Sequence, residues 1–262
     1  MGKRGRRSRN RDKGGDAGDG KSDRRKRDAK KGGDRGQENA IVEWTKSIVI
    51  AVILFLIIKT FLLHTFVIIS GSMEETLLVG DMLVVNRASL GSRVPFTQIR
   101  VPGYSQPRRG DVIVFDPPHE EDLKLVKRLI GLPGDTLEMR SKVLYVNGEQ
   151  QDEPYVQHVD TRGDDRHPWM SWQRDFLAPS VVPETYNPTR DNWGPLVVPE
   201  EQFFMMGDNR DTSLDSRYWG FLERWRLEGR AVFVYFSYEK ESVKPFPWIT
   251  DIRWGRIVSG IH

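Results

Sequence analysis

The chain has 262 residues, with 40 Lys and Arg, 37 Asp and Glu, and no cysteine. This length allows one sizeable globular domain together with a tail and a further segment. The lack of cysteine excludes a disulfide framework, a thiol nucleophile and a cysteine-ligated zinc site. Residues 1–40 hold 15 basic and 7 acidic residues, which leaves 25 and 30 for the remainder. A basic tail on a mildly acidic body argues against a nucleic-acid-binding domain, so no nucleic-acid partner is expected.

The N-terminal region is rich in Gly, Lys, Arg and Asp and nearly free of large apolar side chains. Such a segment cannot bury enough apolar surface to offset the entropy lost on folding. We therefore predict that residues 1–43 form a disordered basic tail. A solvated tail is favoured over a dedicated lipid-binding or nucleic-acid-binding arm.

An apolar stretch follows, from Ile48 to Ile69, interrupted only by Lys59, Thr60, His64 and Thr65. About 20 helical residues are needed to cross a bilayer core, so this stretch is long enough. We predict a transmembrane helix at residues 45–63, with Lys59 extending its ammonium to the headgroups. Basic residues concentrate before the helix, which predicts a cytoplasmic N-terminus and an extracytoplasmic domain over residues 64–262.

Two other interpretations of this stretch are weaker. A cleavable secretory signal would need a small-x-small site after the apolar run, and none follows cleanly before Ser72. A buried core helix is disfavoured because the run from Ile48 to Ile58 has no polar face. A single-pass membrane anchor, with the lipid bilayer as a partner, is the favoured prediction.

After Gly80 the sequence changes to short alternating segments separated by Gly, Pro, Asn and Asp, which predicts a mainly β fold. Asn147-Gly148 between two such runs is a strong hairpin signal. Residues 88–109 and about 150–199 are long excursions from this pattern, the second predicted as an inserted subdomain or extended loop. The predicted strands are Met82–Asn86, Asp111–Phe115, Leu123–Ile130, Thr136–Arg140, Val143–Val146, Phe203–Met206 and Ala231–Phe236.

Ser72 and Lys127 are the candidate reacting residues. A serine hydroxyl becomes a good nucleophile when a base removes its proton, and a neutral lysine amine can be that base. Strand alternation places Lys127 between Leu125 and Leu129 on one face, in apolar surroundings. At a pKa near 10.4 only about one lysine in 2,500 is neutral at pH 7, so a working base requires desolvation.

Less specific interpretations exist for each of these features. Ser72-Met73-Glu74-Glu75 fits a capping box, in which the serine only begins a short helix. Most lysines are solvated, and Lys124 and Arg128 are expected to be so. The charged run from Gly207 to Gly220 fits a salt-bridged surface loop, or alternatively a loop that aims the lysine amine.

Taken together, the motifs resemble those of the bacterial type I signal peptidases. About 50 residues match in family order, behind a helix in the expected place. The matching blocks are Ser70-Gly71-Ser72-Met73 with Thr76-Leu77 and Gly80-Asp81, then Gly110 to Phe115, Lys127 to Asp135, and Gly207 to Gly220.

The resemblance implies a signal-peptidase-like β catalytic core that removes signal peptides from exported preproteins after small-x-small sites such as Ala-x-Ala. It implies that Ser72 is the nucleophile and Lys127 the general base. The Ser72 N–H and the Ser70 hydroxyl would form the oxyanion hole. The resemblance further implies supporting roles for Ser213, which would orient the lysine, and for Asp208, Asp215 and Arg217.

The match departs from the family at Ile69 and Glu75, where prolines are common. These two departures bear on loop rigidity or substrate preference.

Two rival hypotheses remain. A self-cleaving Ser/Lys regulator resembling the SOS repressors is disfavoured by the anchor, and a catalytically inactive membrane-tethered binding protein is the other. No metal or organic cofactor is expected, because the five histidines show no ligand spacing.

Overall fold

The computed structural model describes residues 42–93, 97, 100–120, 123–160 and 163–261. Most of the predicted tail lies outside these residues. Among these residues one helix, α1 (Val42–Leu62), is long and apolar enough to cross a membrane by length and composition. The chain is already helical at Val42, three residues before the predicted start, and no Gly or Pro interrupts it there. Its last turn, Ile58–Leu62, is π-helical. A boundary between two compact units falls after Phe55, and the second unit is described below by itself.

The second unit is mainly β, as predicted. Short helices also occur, including α2 (Ser216–Trp219) and α3 (Pro247–Thr250). The strands are β1 (Leu63–Val67), β2 (Asp81–Asn86), β3 (Gly91–Arg93), β4 (Arg100–Pro102), β5 (Val112–Phe115), β6 (Leu125–Gly131), β7 (Thr136–Arg140), β8 (Val143–Val146), β9 (Glu149–Gln150), β10 (Trp193–Val197), β11 (Gln202–Met206), β12 (Leu222–Glu223), β13 (Leu227–Ser237) and β14 (Ser259–Gly260).

The largest sheet has the strand order β1-β2-β13-β5-β6-β11-β12, with β14 added to β13, and its strand pairs are antiparallel. The long strand β13 shifts register at three points along its two neighbours. Such bulges bend a strand and increase its twist, which gives the sheet its curled, half-barrel form. The curl brings residues distant in sequence to the same part of the domain.

A second sheet, in the order β10-β7-β8-β9, contributes to a separate apolar cluster. Phe204 of β11 and Ile130 of β6 pack in this cluster with residues of the second sheet, so the two sheets share a core. The C-terminal end of strand β6 therefore packs against the second sheet. Two further clusters lie against the large sheet, one around Leu83 and Val114 and one around Ile113 and Phe115.

The predicted strands all occur; β7 and β8 have the predicted ends, and the other five are shifted by one or more residues. The Asn147-Gly148 hairpin is also confirmed: both residues have positive φ, 53° and 83°, and join β8 to β9. The sequence did not predict β1, the hairpin β3–β4, or β10 inside the 150–199 excursion. Strand β10 was missed because Pro195 interrupts its pattern, and Pro lacks the N–H that a ladder uses.

Candidate active site

Ser72 lies in a short 3-10 helix, Gly71–Met73, that follows the end of β1. The serine is 8% exposed, and its carbonyl oxygen accepts a hydrogen bond of 3.2 Å from Asn209 N–H. The capping-box alternative is wrong, because Ser72 lies inside the helix and Ser70 occupies the N-cap position. The Ser72 hydroxyl is thus not used to begin the helix.

Lys127 lies in β6, where it is paired with Ile113 of β5. It is 2% exposed, and its Nζ donates hydrogen bonds of 2.5 Å to Ser72 Oγ and 3.3 Å to the Val126 carbonyl oxygen. The predicted pairing of the two residues across 55 positions is therefore present as a direct contact. A neutral Lys127 amine in this position could accept the Ser72 proton without any movement of the backbone.

Burial lowers the pKa of Lys127 from its ordinary 10.5 to about 8. Asp215 and Asp208 act in the opposite direction, while Arg217 lowers the pKa further. Removal of water dominates because a charged ammonium loses its hydration when buried. At a pKa of about 8, roughly one lysine in eleven is neutral at pH 7, a gain of more than 100-fold over a solvated lysine.

Ser70 lies beside the pair. Its Oγ is 3.4 Å from Ser72 Oγ, and either hydroxyl can donate this hydrogen bond. A second hydroxyl this close to a reacting oxygen can donate to negative charge that develops next to it. The Ser70 hydroxyl is accordingly in the neighbourhood that the resemblance assigns to it.

Asp208 forms a buried, two-point ion pair with Arg128. Arg128 Nε lies 2.8 Å from Asp208 Oδ1, and Arg128 Nη2 lies 2.7 Å from Asp208 Oδ2. Thr76 Oγ1 donates to the same carboxylate at 2.5 Å. The prediction that Arg128 is a solvated surface residue is wrong: it is 1% exposed. The expected alternation of buried and exposed side chains fails here, because both faces of β6 are covered at the end of the strand.

Asp215 and Arg217 form a second buried, two-point ion pair, with both N–O distances at 2.8 Å. Asp215 also accepts from the Gly207 N–H at 3.1 Å, and Arg217 donates to the Arg210 carbonyl oxygen at 2.6 Å. Burial acts to raise the pKa of Asp215, but the Arg217 guanidinium together with hydrogen bonds from Gly207 and Ser213 holds the pKa below its ordinary value. Both charges are therefore kept inside the loop, which fixes its path beside Lys127.

Ser213 does not make the contact expected of it. Its Oγ is buried and makes no hydrogen bond to Lys127 among the described residues. Its hydroxyl instead helps to hold the pKa of Asp215 low. A Cβ added to Gly207 would lie 2.3 Å from Ser213 Oγ, so the two residues are closely packed. The role of Ser213 in orienting the lysine stays a prediction.

Sequence reasoning missed three residues that contact this network: Thr76, Glu153 and Tyr155. Thr76 belongs to a motif block but had no assigned role. Glu153 and Tyr155 lie in the excursion after β9, where no periodic pattern pointed to the site. Their only signal was the Glu-Pro-Tyr sequence in the segment predicted to be an inserted subdomain or a long excursion.

A small cavity of about 150 Å³ opens beside Ser72. Its walls are largely apolar and come from the end of β1, the Ser72 helix and the start of β6. Strand β11 pairs with β6 only from Arg128 onward, so among the described residues the segment Leu125–Lys127 has a strand partner on one side only, in β5. An open strand edge beside a small apolar cavity can bind an extended peptide.

No group of three or more His, Asp or Glu side chains suited to holding a metal ion occurs in the part of the chain that the structure describes.

Comparison with known proteins identifies the family of this chain. The family model described as signal peptidase, peptidase S26, matches residues 41–236. Signal peptidase I from Pseudomonas aeruginosa is 34% identical over 80% of this chain and 78% of that protein. The Bacillus licheniformis signal peptidase I is 34% identical over 78% and 93%, and signal peptidase I P from Bacillus subtilis subsp. natto is 36% identical over 77% and 92%. This chain therefore belongs to the signal peptidase I family of serine endopeptidases, which remove signal peptides from proteins.

Proposed function

We propose that this protein is a membrane-anchored serine endopeptidase that cleaves signal peptides from exported preproteins with Ser72 as nucleophile and Lys127 as general base. The observation that carries the proposal is the 2.5 Å distance between Lys127 Nζ and Ser72 Oγ, at a lysine that is 2% exposed. Membership of the signal peptidase I family supports the substrate class. The depressed pKa of Lys127 supports its role as base.

In the acylation step, Ser72 Oγ attacks the scissile carbonyl carbon while Lys127 Nζ takes the hydroxyl proton. The Ser70 hydroxyl and the Ser72 N–H donate to the resulting oxyanion. The carbon–nitrogen bond then breaks, and Lys127 returns the proton to the leaving amine of the mature protein. An acyl ester of Ser72 with the signal peptide remains.

In the deacylation step, a water attacks the ester carbon and gives a proton to Lys127. The ester bond breaks, Ser72 Oγ recovers that proton, and the signal peptide leaves with a new carboxylate. Asp208 with Arg128, and Asp215 with Arg217, hold the surrounding loop in place during both steps, since buried two-point ion pairs fix geometry strongly.

The substrate binds as an extended strand along the open edge of β6 at Leu125–Lys127. Alternate side chains of such a strand point the same way, so the first and third residues before the cut face one wall. The cavity there, about 150 Å³, is small and mostly apolar. Its size favours small side chains at both positions, as in Ala-x-Ala.

The anchor is helix α1, with the basic tail in the cytoplasm and the domain from residue 64 onward outside. Its support is the length and apolar composition of Val42–Leu62 and the excess of Lys and Arg before it. The test is protease protection in inverted and right-side-out membrane vesicles. Digestion of the catalytic domain in inverted vesicles would contradict this orientation.

Cleavage of a purified Ala-x-Ala precursor in lipid or detergent tests the reaction. Ser72→Ala and Lys127→Ala should each reduce cleavage to background, and Lys244→Ala, at a side chain that is 61% exposed, should cleave like the wild type. Far-UV circular dichroism of each variant shows that it is folded. Cleavage that survives Lys127→Ala would overturn the assignment of the base, and a wild type that binds precursors without cutting them would support the binding-protein alternative.

A further inference from the structure

Residues 153–157, which follow β9, lie directly against the loop that carries Asp208 and Arg210. Gln157 N–H donates to the Asp208 carbonyl oxygen at 2.9 Å, and Arg210 N–H donates to the Gln157 carbonyl oxygen at 3.0 Å. These two bonds form a parallel bridge between Gln157 and Asn209. The Gln157 side chain also donates a hydrogen bond of 2.6 Å to Oε1 of Glu75, which lies two residues after the end of the Ser72 helix. We call residues 153–157 the strap.

The strap supplies a carboxylate to a buried cation of this loop. Arg210 is 1% exposed, and its Nη2 lies 2.6 Å from Glu153 Oε1. Arg210 Nε donates to the Gly207 carbonyl oxygen at 3.2 Å. A buried guanidinium without a carboxylate partner is costly, so Glu153 allows Arg210 to hold the Gly207 backbone from inside the loop.

The strap also covers the ion pair next to Lys127. The Tyr155 ring stacks over the Arg128 guanidinium with 3.7 Å between the guanidinium carbon and the ring centroid. The Tyr155 hydroxyl donates to Glu153 Oε1 at 3.1 Å, and burial raises the pKa of Tyr155, which keeps that hydroxyl protonated. The ring therefore shields one face of Arg128 from water, and an ion pair is stronger where water is excluded.

We propose that Glu153 and Tyr155 are positioning residues of the Ser72–Lys127 pair, acting through Arg210 and through the Arg128–Asp208 ion pair. This inference rests on the proposed function, in which Lys127 is the base. Arg128 follows Lys127 directly in β6, so its anchoring to Asp208 fixes the backbone that presents the lysine. A displacement of about 1 Å at a reacting pair can lower a rate about 100-fold.

The strap has a second effect, on the protonation of the lysine. Asp215 and Asp208 raise the pKa of Lys127, while burial and Arg217 lower it. If Tyr155 is lost, water reaches the Arg128 guanidinium that the ring covers, and Arg128 neutralises Asp208 less well. A less neutralised Asp208 stabilises the ammonium, so the pKa of Lys127 should rise.

The test compares Tyr155→Leu with two matched variants. Tyr155→Phe keeps the ring over Arg128 and removes only the hydroxyl. Tyr145→Leu removes an equivalent ring, which stacks on Arg140 at 4.8 Å in the second sheet, away from Lys127. Tyr155→Leu should lower kcat about 10-fold with KM within about twofold, and should move the midpoint of the pH–kcat/KM profile upward by about half a unit or more. Tyr155→Phe and Tyr145→Leu should stay within about twofold of the wild type, with the midpoint unchanged.

A purely structural role for Tyr155 would lower Tm while leaving kcat per folded enzyme and the midpoint unchanged, and that result would overturn the proposal. A second measurement is independent of cleavage: the ¹³Cε signal of Lys127, assigned with Lys127→Arg, gives its titration midpoint directly. A higher titration midpoint in Tyr155→Leu than in the wild type supports the proposed role of the strap even if no precursor is cut. A wild type that fails to cleave would instead overturn the proposed function.

Discussion

Lys127 Nζ lies 2.5 Å from Ser72 Oγ although 55 positions separate the two residues. The contact forms because the Ser72 helix continues from β1 at one end of the large sheet while β6 lies four strands further along it. The curl of the sheet closes that distance. The site is thus assembled by tertiary structure from residues that belong to different strands.

The pKa of Lys127 predicts the pH dependence of cleavage. With a pKa of about 8, the neutral fraction rises about 10-fold from pH 6 to 7 and about fivefold from pH 7 to 8, and it levels above about pH 9. The profile of kcat/KM, which reports the free enzyme, should follow this curve. A flat profile between pH 6 and 9, or a midpoint near 10.4, would contradict the assigned base.

Lys127→Met should stabilise the fold while abolishing cleavage. The pKa of Lys127 is lowered, so the native state binds the proton less tightly than the unfolded chain does. Below about pH 8, the unfolding free energy of the wild type should be about 3 kcal/mol lower than that of Lys127→Met. This difference should disappear as the pH rises from about 8 to 10.4. Urea unfolding at pH 7 and pH 10 measures this. Lys244→Met, at an exposed lysine, is the control, and an equal shift in both variants would refute the prediction.

Gly207→Ala should inactivate the enzyme. A Cβ at this position would lie 2.3 Å from Ser213 Oγ and 2.4 Å from the Ser72 carbonyl oxygen, so the loop and the Ser72 helix would have to separate. We expect a loss of at least about 100-fold in kcat. Gly255→Ala is the control, since nothing lies within 4 Å of its added Cβ. Wild-type turnover by Gly207→Ala would show that the two segments can move apart without consequence.

The Arg128–Asp208 ion pair should show strong coupling in a double-mutant cycle. Both side chains are 1% exposed, so removing one partner leaves a buried, unpaired charge. Arg128→Met and Asp208→Asn should each cost about 3–5 kcal/mol of unfolding free energy, and the double variant should cost clearly less than their sum. The Arg140–Glu138 pair, with side chains 61% and 21% exposed, is the control. Replacing either of its residues should lower the unfolding free energy by no more than about 1 kcal/mol. Additive losses at Arg128 and Asp208 would argue against coupling.

Lys124→Ala should relax substrate selection. Lys124 lines the small cavity beside Ser72, and its ammonium is held by Asp116 and Glu228. Shortening the side chain enlarges the cavity, so precursors with Val or Leu before the cut should be processed faster relative to Ala. Lys124→Met is the control, because it keeps the bulk of the side chain and removes only the ion pairs. Competition between paired precursors gives the ratio of kcat/KM, and an unchanged ratio in Lys124→Ala would exclude this wall as a determinant.

Seven strands and the turn at Asn147-Gly148 could be predicted from local sequence, whereas the burial of individual side chains could not. Alternation and turn residues located β7 and β8 with their observed ends, and Asn147-Gly148 located the turn that follows. Both depend on backbone preferences within a few residues. Arg128 was misplaced because alternation assigns a residue to a face but does not say what covers that face. Here β11 and the strap both reach it.

The sequence by itself determined the apolar helix and the mainly β character, and it predicted the pairing of Ser72 with Lys127, because each follows from local pattern or from a motif. Only the tertiary structure decided that Arg128 is buried, that Ser213 does not bond to Lys127, and that Glu153 and Tyr155 contact the network around the site. The physical reason is that burial and hydrogen-bond partners depend on which distant segments pack together. The free energy that lowers the pKa of Lys127 comes from that packing, which the local sequence does not encode.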